Sequence, residues 1–273
     1  MRREDLVDSI LSDYVEKKQT YADLSERYHK SQSAIYRIVH GNLRHPVVVP
    51  KHKNVIALMD TTYWGWNFGL VCIKDAHRDV VLWHKYIYRH EKVSDYLEGY
   101  AYLKARGFHI KGIVVDGLKG LFKAFEHTPV QMCQVHQQRI VRTYLTTDPE
   151  LEASRELLAI ANTLAHTDME SFIGMFDEWC EKWDPFLKER STDTTTGRTR
   201  YTHAKLRSAY LSIKRNMPWL WTFYKYPVLG IPNTNNGIES TFTDIKKHMR
   251  AHTGLSGETR EKFLDELIAR KHT

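Results

Sequence analysis

The chain has 273 residues, and its 42% hydrophobic and 12% aromatic content can build the core of one large domain or two smaller ones. No apolar run is long enough to cross a bilayer, and acids interrupt the N-terminal MRREDLVDSILSDYV, where a signal peptide needs an apolar stretch. We therefore expect a cytoplasmic protein without a membrane partner. Three scattered cysteines are too few for a disulfide framework or a four-cysteine zinc site.

The formal net charge of +7 and the pI near 9.1 favour polyanionic partners. The basic excess is concentrated in residues 200–255, which contain nine Lys or Arg residues but only two acids, Glu239 and Asp244. A nucleic acid is the partner that this pattern indicates, and it should contact the surface around that segment.

The first forty residues predict three short helices, because EDLVDSILSDYVEKK, TYADLSERY and SQSAIYRIVHG each place apolar residues at helical spacing. Ser31 is a candidate N-cap for the last of them. A tight turn between the last two helices is typical of a helix-turn-helix, whose final helix would direct Gln32, Ser33, Tyr36 and Arg37 into a major groove. A generic three-helix appendage or a dimerisation element is the alternative.

An alternating order of strands and helices follows a proline-containing segment, LRHPVVVPKHK. VIALMDTTYW, WNFGLVCIKDA and RDVVLWHKYIY predict three antiparallel strands. A helix, the buried strand HIKGIVVDG, a helix, the short strand PVQMCQVH and another helix then complete a mixed sheet flanked by helices. From residue 149 to about residue 232 we expect helices alone, with a Thr-rich loop between two of them. The four tryptophans of that segment either form its core or stack on an extruded base.

The predicted boundaries can be stated as five segments. They are a helix-turn-helix module (1–42), a linker (43–53), the first part of the core (54–148), an all-helical insertion (149–232) and the final helices of the core (233–273).

Three acids stand where a sheet and a helix could bring them together. Asp60 lies in the first strand, Asp116 ends the fourth, and Glu239 lies in the first turn of a helix that Asn235 or Asn236 could cap. The first and fourth strands are expected to be neighbours, with the helix packed across their edge. Because converging carboxylates repel one another, we expect Mg²⁺ or Mn²⁺, in two ions, to bind them.

The motifs MDTTYW, VVDG, CQVH and NNGIES, in this order, resemble those of the DDE transposases of bacterial insertion sequences, in the group related to Mutator-like elements. The resemblance implies an RNase H-like core in which Asp60, Asp116 and Glu239 are the catalytic metal ligands. It also implies a homodimer or higher multimer on DNA in a prokaryotic nucleoid. Cys133 and His136 match the Cys-x-x-His pair of that family.

Cys133 and His136 have three possible roles. A structural zinc site is disfavoured because no second Cys/His pair stands at a suitable distance. A hydrogen-bonded pair that braces the turn from strand to helix is preferred, and direct contact with the substrate is the other alternative. Nearby Arg139 is a candidate phosphate contact, together with Lys246, Lys247 and Arg250.

The resulting hypothesis is a DNA transposase that hydrolyses transposon ends in a metal-dependent reaction and joins the freed 3′ hydroxyl to target DNA. An RNase H-like nuclease or resolvase without strand transfer is the first alternative. A domesticated DNA-binding regulator is the second.

Overall fold

The computed structural model describes residues 3–46, 52–125 and 127–271. The first half of the chain contains α1 (Arg3–Val15), α2 (Tyr21–Tyr28), α3 (Gln32–Asn42), β1 (Asn54–Trp64), β2 (Phe68–Asp75), β3 (Val81–Ile87), α4 (Val93–Ala105), β4 (His109–Val115), α5 (Leu121–Ala124), β5 (Val130–Met132) and α6 (Gln134–Leu145). The second half contains α7 (Glu152–Thr163), α8 (Met169–Lys188), β6 (Arg190–Thr192), β7 (Thr199–Tyr201), α9 (Ala204–Leu220), α10 (Thr222–Lys225), a 3₁₀ turn (Pro227–Leu229), α11 (Asn236–Ala251) and α12 (Gly257–Lys271).

A five-stranded sheet with the order β3-β2-β1-β4-β5 forms the centre of the fold. It is mixed, because β2 and β3 pair antiparallel whereas β4 and β5 pair parallel. The predicted α/β class, the succession of strands and helices and the adjacency of the first and fourth strands are therefore confirmed. Assignment of this sheet to the RNase H-like group stays a prediction.

The chain divides into two compact units whose limits differ from the predicted segments. Unit 1 combines the described residues of 1–55, 60–109 and 236–273, and unit 2 combines residues 56–59 with the described residues of 110–235. The predicted helix-turn-helix module is thus part of unit 1. Its attachment there is specific, since the ring nitrogens Nε2 of His248 and His252 bond the carbonyls of Glu16 and Tyr14, each at 3.0 Å.

The three N-terminal helices form as predicted. The side chain of Thr20 accepts a hydrogen bond from the backbone of Asp23 at the start of α2, and Ser31 caps α3 by accepting one from Ala34 at 3.2 Å. Of the predicted linker, residues 47–51 lie outside the described part of the chain. The residues before them are not loosely attached, because Leu43 is buried and His45 bonds the carboxylate of Asp265.

Unit 2 has its own apolar core, to which the tryptophans of the insertion contribute. Trp179 and Trp221 are buried there, and Trp183 and Trp219 pack against the core. The interpretation of these rings as core residues is therefore confirmed, and stacking on an extruded base is not needed to explain them.

The description of residues 149–232 as all-helical was wrong. The Thr-rich segment forms the antiparallel hairpin β6–β7, with Thr192 opposite Thr199. The reason lies in its composition, since β-branched residues favour strands and Gly197, at φ +65°, adopts the left-handed conformation that a hairpin turn requires. Asp193 strengthens the turn by accepting backbone hydrogen bonds from Thr195 and Thr196 at 2.9 Å.

None of the described helices is both long enough and apolar enough to cross a membrane.

Candidate metal centre and nucleic-acid surface

Asp60 is a carboxylate in the interior of a buried strand. It follows the run Val55–Met59, every residue of which is buried, and is itself only 8% exposed. The backbone N–H of Thr61 donates to its Oδ1 at 2.8 Å. Burying a carboxylate is costly unless other groups compensate its charge. A buried acid at this point of β1 therefore indicates a functional rather than a packing role.

Glu239 lies in the first turn of α11, where a helix dipole favours an acid. Carboxylate oxygens of Asp60 and Glu239 and a ring nitrogen of His136 all lie within 4.8 Å of one another. Two of the three acids that the sequence singled out thus meet, although they are far apart along the chain.

These three side chains could hold a metal ion, since each of them offers one ligand atom to the group. The two carboxylates suit the hard cations Mg²⁺ and Mn²⁺, whereas an imidazole nitrogen suits transition metals better than Mg²⁺. The donor set therefore fits a divalent cation and is more favourable to Mn²⁺ than the three carboxylates expected from the sequence.

Asp116 follows β4 and is partly buried. Burial raises the pKa of its carboxyl group above the ordinary value, although the N–H of Leu118, which donates to Oδ1 at 3.0 Å, acts in the opposite direction. Asp116 is not a member of the three-residue group, and its participation in a metal site stays a prediction.

The segment before α11 is attached to the strand that carries Asp60. The side-chain amide of Asn235 donates to the carbonyl of Met59 at 3.0 Å, immediately before Asp60 in the chain. This geometry corrects the expectation that Asn235 caps the helix, because its amide group is used as a donor and its buried Oδ1 accepts no hydrogen bond from the described residues. The interaction instead fixes the start of α11 close to the end of the buried run of β1.

The structure shows one contact of Cys133 and a possible ligand role for His136. The buried sulfur of Cys133 accepts a hydrogen bond from the backbone N–H of Asn235 at 3.2 Å, which connects the start of α6 to the segment before α11. The hydrogen-bonded Cys133–His136 pair that the sequence favoured stays a prediction. His136, in the first turn of α6, belongs to the candidate metal-binding group, and its Nε2 lies 3.5 Å from a guanidinium nitrogen of Arg139. A position of His136 beside Asp60 and Glu239 was not predicted, because the Cys-x-x-His spacing directed attention to the pair with Cys133.

Lys74 on β2 is a further residue that the sequence did not reveal. Its side chain is almost completely buried, and its ammonium group donates to Asp79 at 2.5 Å, to the carbonyl of Gly237 at 3.0 Å and to the hydroxyl of Thr241 at 2.6 Å. Gly237 and Thr241 flank Glu239 on α11. Lys74 therefore anchors the helical turn that carries the catalytic candidate.

The predicted DNA-contacting side chains are accessible to solvent. On α3, Gln32, Ser33, Tyr36 and Arg37 are all exposed, as a recognition helix requires. Arg139, Lys247 and Arg250 are also exposed, and Lys246 is partly exposed. Lys246, Lys247 and Arg250 form no ion pair with any residue in the described ranges.

No family model matches the chain, and no curated protein matches it. The structure is that of an α/β protein with a mixed five-stranded sheet. Asp60, His136 and Glu239 form its candidate metal centre.

Proposed function

We propose that the protein is a metal-dependent DNA transposase that hydrolyses phosphodiester bonds at transposon ends and joins the resulting 3′ hydroxyl to target DNA. The observation that carries this proposal is the approach of the Asp60 and Glu239 carboxylates, one from a buried strand and one from the first turn of a helix. Two negative charges held this close repel one another unless a cation or a proton compensates them. The order of motifs along the chain supports transposition as the reaction.

The acids have the role of holding Mg²⁺ or Mn²⁺, with Asp116 as the third proposed carboxylate and His136 as a neighbouring ligand. When bound, two such ions supply activation of the attacking oxygen and stabilisation of the leaving oxygen in phosphoryl transfer. Lys74 keeps the first turn of α11 in place through its bonds to Gly237 and Thr241, so that Glu239 stays directed toward Asp60.

The basic and polar surfaces have the role of positioning DNA. Lys246, Lys247, Arg250 and Arg139 neutralise phosphates, and the exposed side chains of α3 read base edges in the major groove. A net charge of +7 supports this assignment, because the affinity of proteins for the phosphate backbone is largely electrostatic.

Cleavage is tested with DNA that carries the sequences flanking the gene, because a transposase acts on the ends of its own element. We expect strand cleavage in Mg²⁺ or Mn²⁺ and none in EDTA. The Asp60→Asn and Glu239→Gln variants should be inactive but should still bind the same DNA. Glu258→Gln is the matched control, since Glu258 is also an acid in the first turn of a helix but is exposed and pairs with Lys262.

Joining is tested separately with pre-cut ends and a supercoiled target plasmid. Insertion of the ends into the plasmid supports a transposase. Cleavage without joining would contradict it and favour an RNase H-like nuclease or resolvase, and specific binding without either reaction would favour a DNA-binding regulator. Cleavage that persists in Asp60→Asn would remove this residue from the site.

A further inference from the structure

A pocket of about 510 Å³ opens beside the C-terminal half of α11, within unit 1. We call it the Trp64 pocket; its lining includes Tyr63, Trp64, Lys246, Arg250 and Arg260. Its volume lies in the range of small-molecule binding sites, which are typically about 300 to 1,000 Å³. The pocket is distinct from the candidate metal centre, with which it shares no residue.

The Trp64 pocket is strongly basic. Lys246, Arg250 and Arg260 contribute three cationic groups, none of which forms an ion pair within the described ranges, and no carboxylate is among the described lining residues. Arg260 is held in place, because its guanidinium donates to the carbonyl of Leu255 at 2.9 and 3.0 Å and lies over the ring of Phe68. An arrangement of uncompensated cations around one cavity favours an anionic ligand.

The aromatic wall of the pocket favours a ligand that also has a flat ring. Tyr63 is fixed by the hydrogen bond that its hydroxyl accepts from the N–H of Glu91 at 2.8 Å, and Trp64 packs on Phe68 with ring centroids 5.4 Å apart. The indole N–H of Trp64 is buried and has no hydrogen-bond partner among the described residues. Aromatic side chains beside cations are the combination that binds single-stranded nucleic acids, through base stacking and phosphate contact.

The pocket is lined by residues of β1 and α11, the two elements that carry Asp60 and Glu239. Trp64 follows Asp60 by four residues on β1 and therefore lies on the same face of the strand, about 13 Å further along. Lys246 follows Glu239 by seven residues on α11, again on the same face, about 10 Å further along. One strand of B-DNA advances about 3.4 Å per nucleotide along the helix axis, so this separation corresponds to about three nucleotides.

We propose that the Trp64 pocket binds one nucleotide of the DNA strand that is cleaved, about three nucleotides from the reacting phosphate. Its base stacks on Trp64, and its phosphate is bound by Lys246, Arg250 and Arg260. The assignment of the ligand to the cleaved DNA strand rests on the proposed function. The assignment of the ligand as a nucleotide rests on the aromatic rings and cations of the pocket.

The test measures binding of single-stranded DNA of about 12 nucleotides, a usual site size for such proteins, containing the fluorescent base 2-aminopurine. EDTA in the buffer prevents cleavage. Stacking on Trp64 should quench the fluorescence of the bound base, and Trp64→Ala should remove this quenching and weaken binding about 5- to 150-fold. Trp64→Phe should retain most of both effects, because a ring of similar packing remains.

The basic side of the pocket has its own variants. Arg250→Ala and Arg260→Ala should each reduce the slope of log affinity against log salt concentration by about one. Lys262→Ala is the charge control, because Lys262 pairs with Glu258 and does not line the pocket. Trp66→Ala is the ring control, since Trp66 is 86% exposed two residues beyond Trp64 and is not a lining residue.

Unchanged quenching and affinity in Trp64→Ala, together with unchanged salt slopes in the arginine variants, would overturn the proposal. Displacement of the strand by an equal concentration of the free nucleotide dAMP would overturn its assignment to a DNA strand. Failure of the pocket and failure of the transposase assignment are distinguishable. The Asp60→Asn variant should lose cleavage but should still quench the fluorescence of the probe. If the wild type cleaves DNA but Trp64→Ala binds the probe as tightly as the wild type does, only the pocket proposal fails.

Discussion

The ammonium group of Lys74 donates a hydrogen bond to the carbonyl of Gly237 at 3.0 Å and so connects a central strand of the sheet to the first turn of α11. A buried lysine is costly unless it is paired and hydrogen-bonded. Here its partners are a carboxylate, a carbonyl and a hydroxyl, and two of the three lie on the helix that carries Glu239. The interaction thus restrains the helical turn that carries the acid.

Lys74→Met should lower the free energy of unfolding of unit 1 by about 1.5 kcal/mol, because the hydrogen bonds to Gly237 and Thr241 are lost. It should also weaken binding of Mn²⁺, since the turn that carries Glu239 is less restrained. Urea denaturation and Mn²⁺ titration measure the two effects. Lys85→Met is the control, because Lys85 lies on β3 and pairs with Glu98 and Asp95 rather than with α11. Equal effects of the two substitutions on Mn²⁺ binding would contradict a specific role for Lys74.

Divalent ions should stabilise the wild-type chain and not the variants that lack an acid of the site. A ligand that binds only the folded state adds about 2.7 kcal/mol at a free concentration about 100 times its Kd. We therefore expect Mn²⁺ to raise the melting temperature of the wild type, and this increase to be absent in Asp60→Asn and Glu239→Gln. Without divalent ions the same variants should be at least as stable as the wild type, because the repulsion between the two carboxylates is removed. Differential scanning calorimetry with and without Mn²⁺ is the measurement, and a similar increase in all three proteins would contradict the site.

Asp265 should make stability depend on pH in the acid range. Burial raises the pKa of its carboxyl group, but hydrogen bonds from His84, Tyr86 and His45 outweigh burial and hold the pKa below the ordinary 3.8. A carboxyl whose pKa is depressed on folding contributes stability above its unfolded pKa and loses it as pH falls through the folded value. Asp265→Asn should therefore cost about 2 kcal/mol at neutral pH, and the difference from the wild type should shrink below pH 3.8.

Urea denaturation at a series of pH values measures this difference. Asp148→Asn is the control, because Asp148 is exposed to solvent. A constant difference between Asp265→Asn and the wild type down to the lowest pH would show that the ionised carboxylate is not the stabilising species.

Arg37→Ala should weaken sequence-specific DNA binding by about 1 to 3 kcal/mol, the usual range for an arginine that contacts a base. Arg37 is exposed on α3, and only its Nε–H is used within the helix, to the carbonyl of Ser33 at 3.3 Å. Cleavage of unrelated DNA in the presence of Mn²⁺ should change little. Electrophoretic mobility shifts with specific and unrelated duplexes measure the effect, and Lys17→Ala is the control because Lys17 pairs with Asp13. A parallel loss of both activities would assign α3 a structural role.

The sequence was informative wherever local chemistry decides the structure. Apolar periodicity and Ser31 defined α3, and the apolar runs before Asp60 and Asp116 defined β1 and β4. Asp60 and Glu239 could be selected because a carboxylate in a buried strand and an acid in the first turn of a helix are recognisable without knowledge of the fold.

The remaining features depend on contacts between residues that are distant in the chain. His136 as a candidate ligand, Lys74 as the anchor of α11 and Asn235 as a donor to Met59 all arise from packing that no local pattern encodes. The β6–β7 hairpin was missed for a different reason. Its strands have three residues each, too few for an alternating pattern to be distinguished from a polar loop.

Helix α11 is one continuous helix of 16 residues. A continuous helix is stiff, and this one carries Glu239 in its first turn and Lys246 and Arg250 two to three turns later. If the helix moves as a rigid body, Glu239, Lys246 and Arg250 move together. A force that a bound polymer exerts on Lys246 and Arg250 would therefore also displace Glu239.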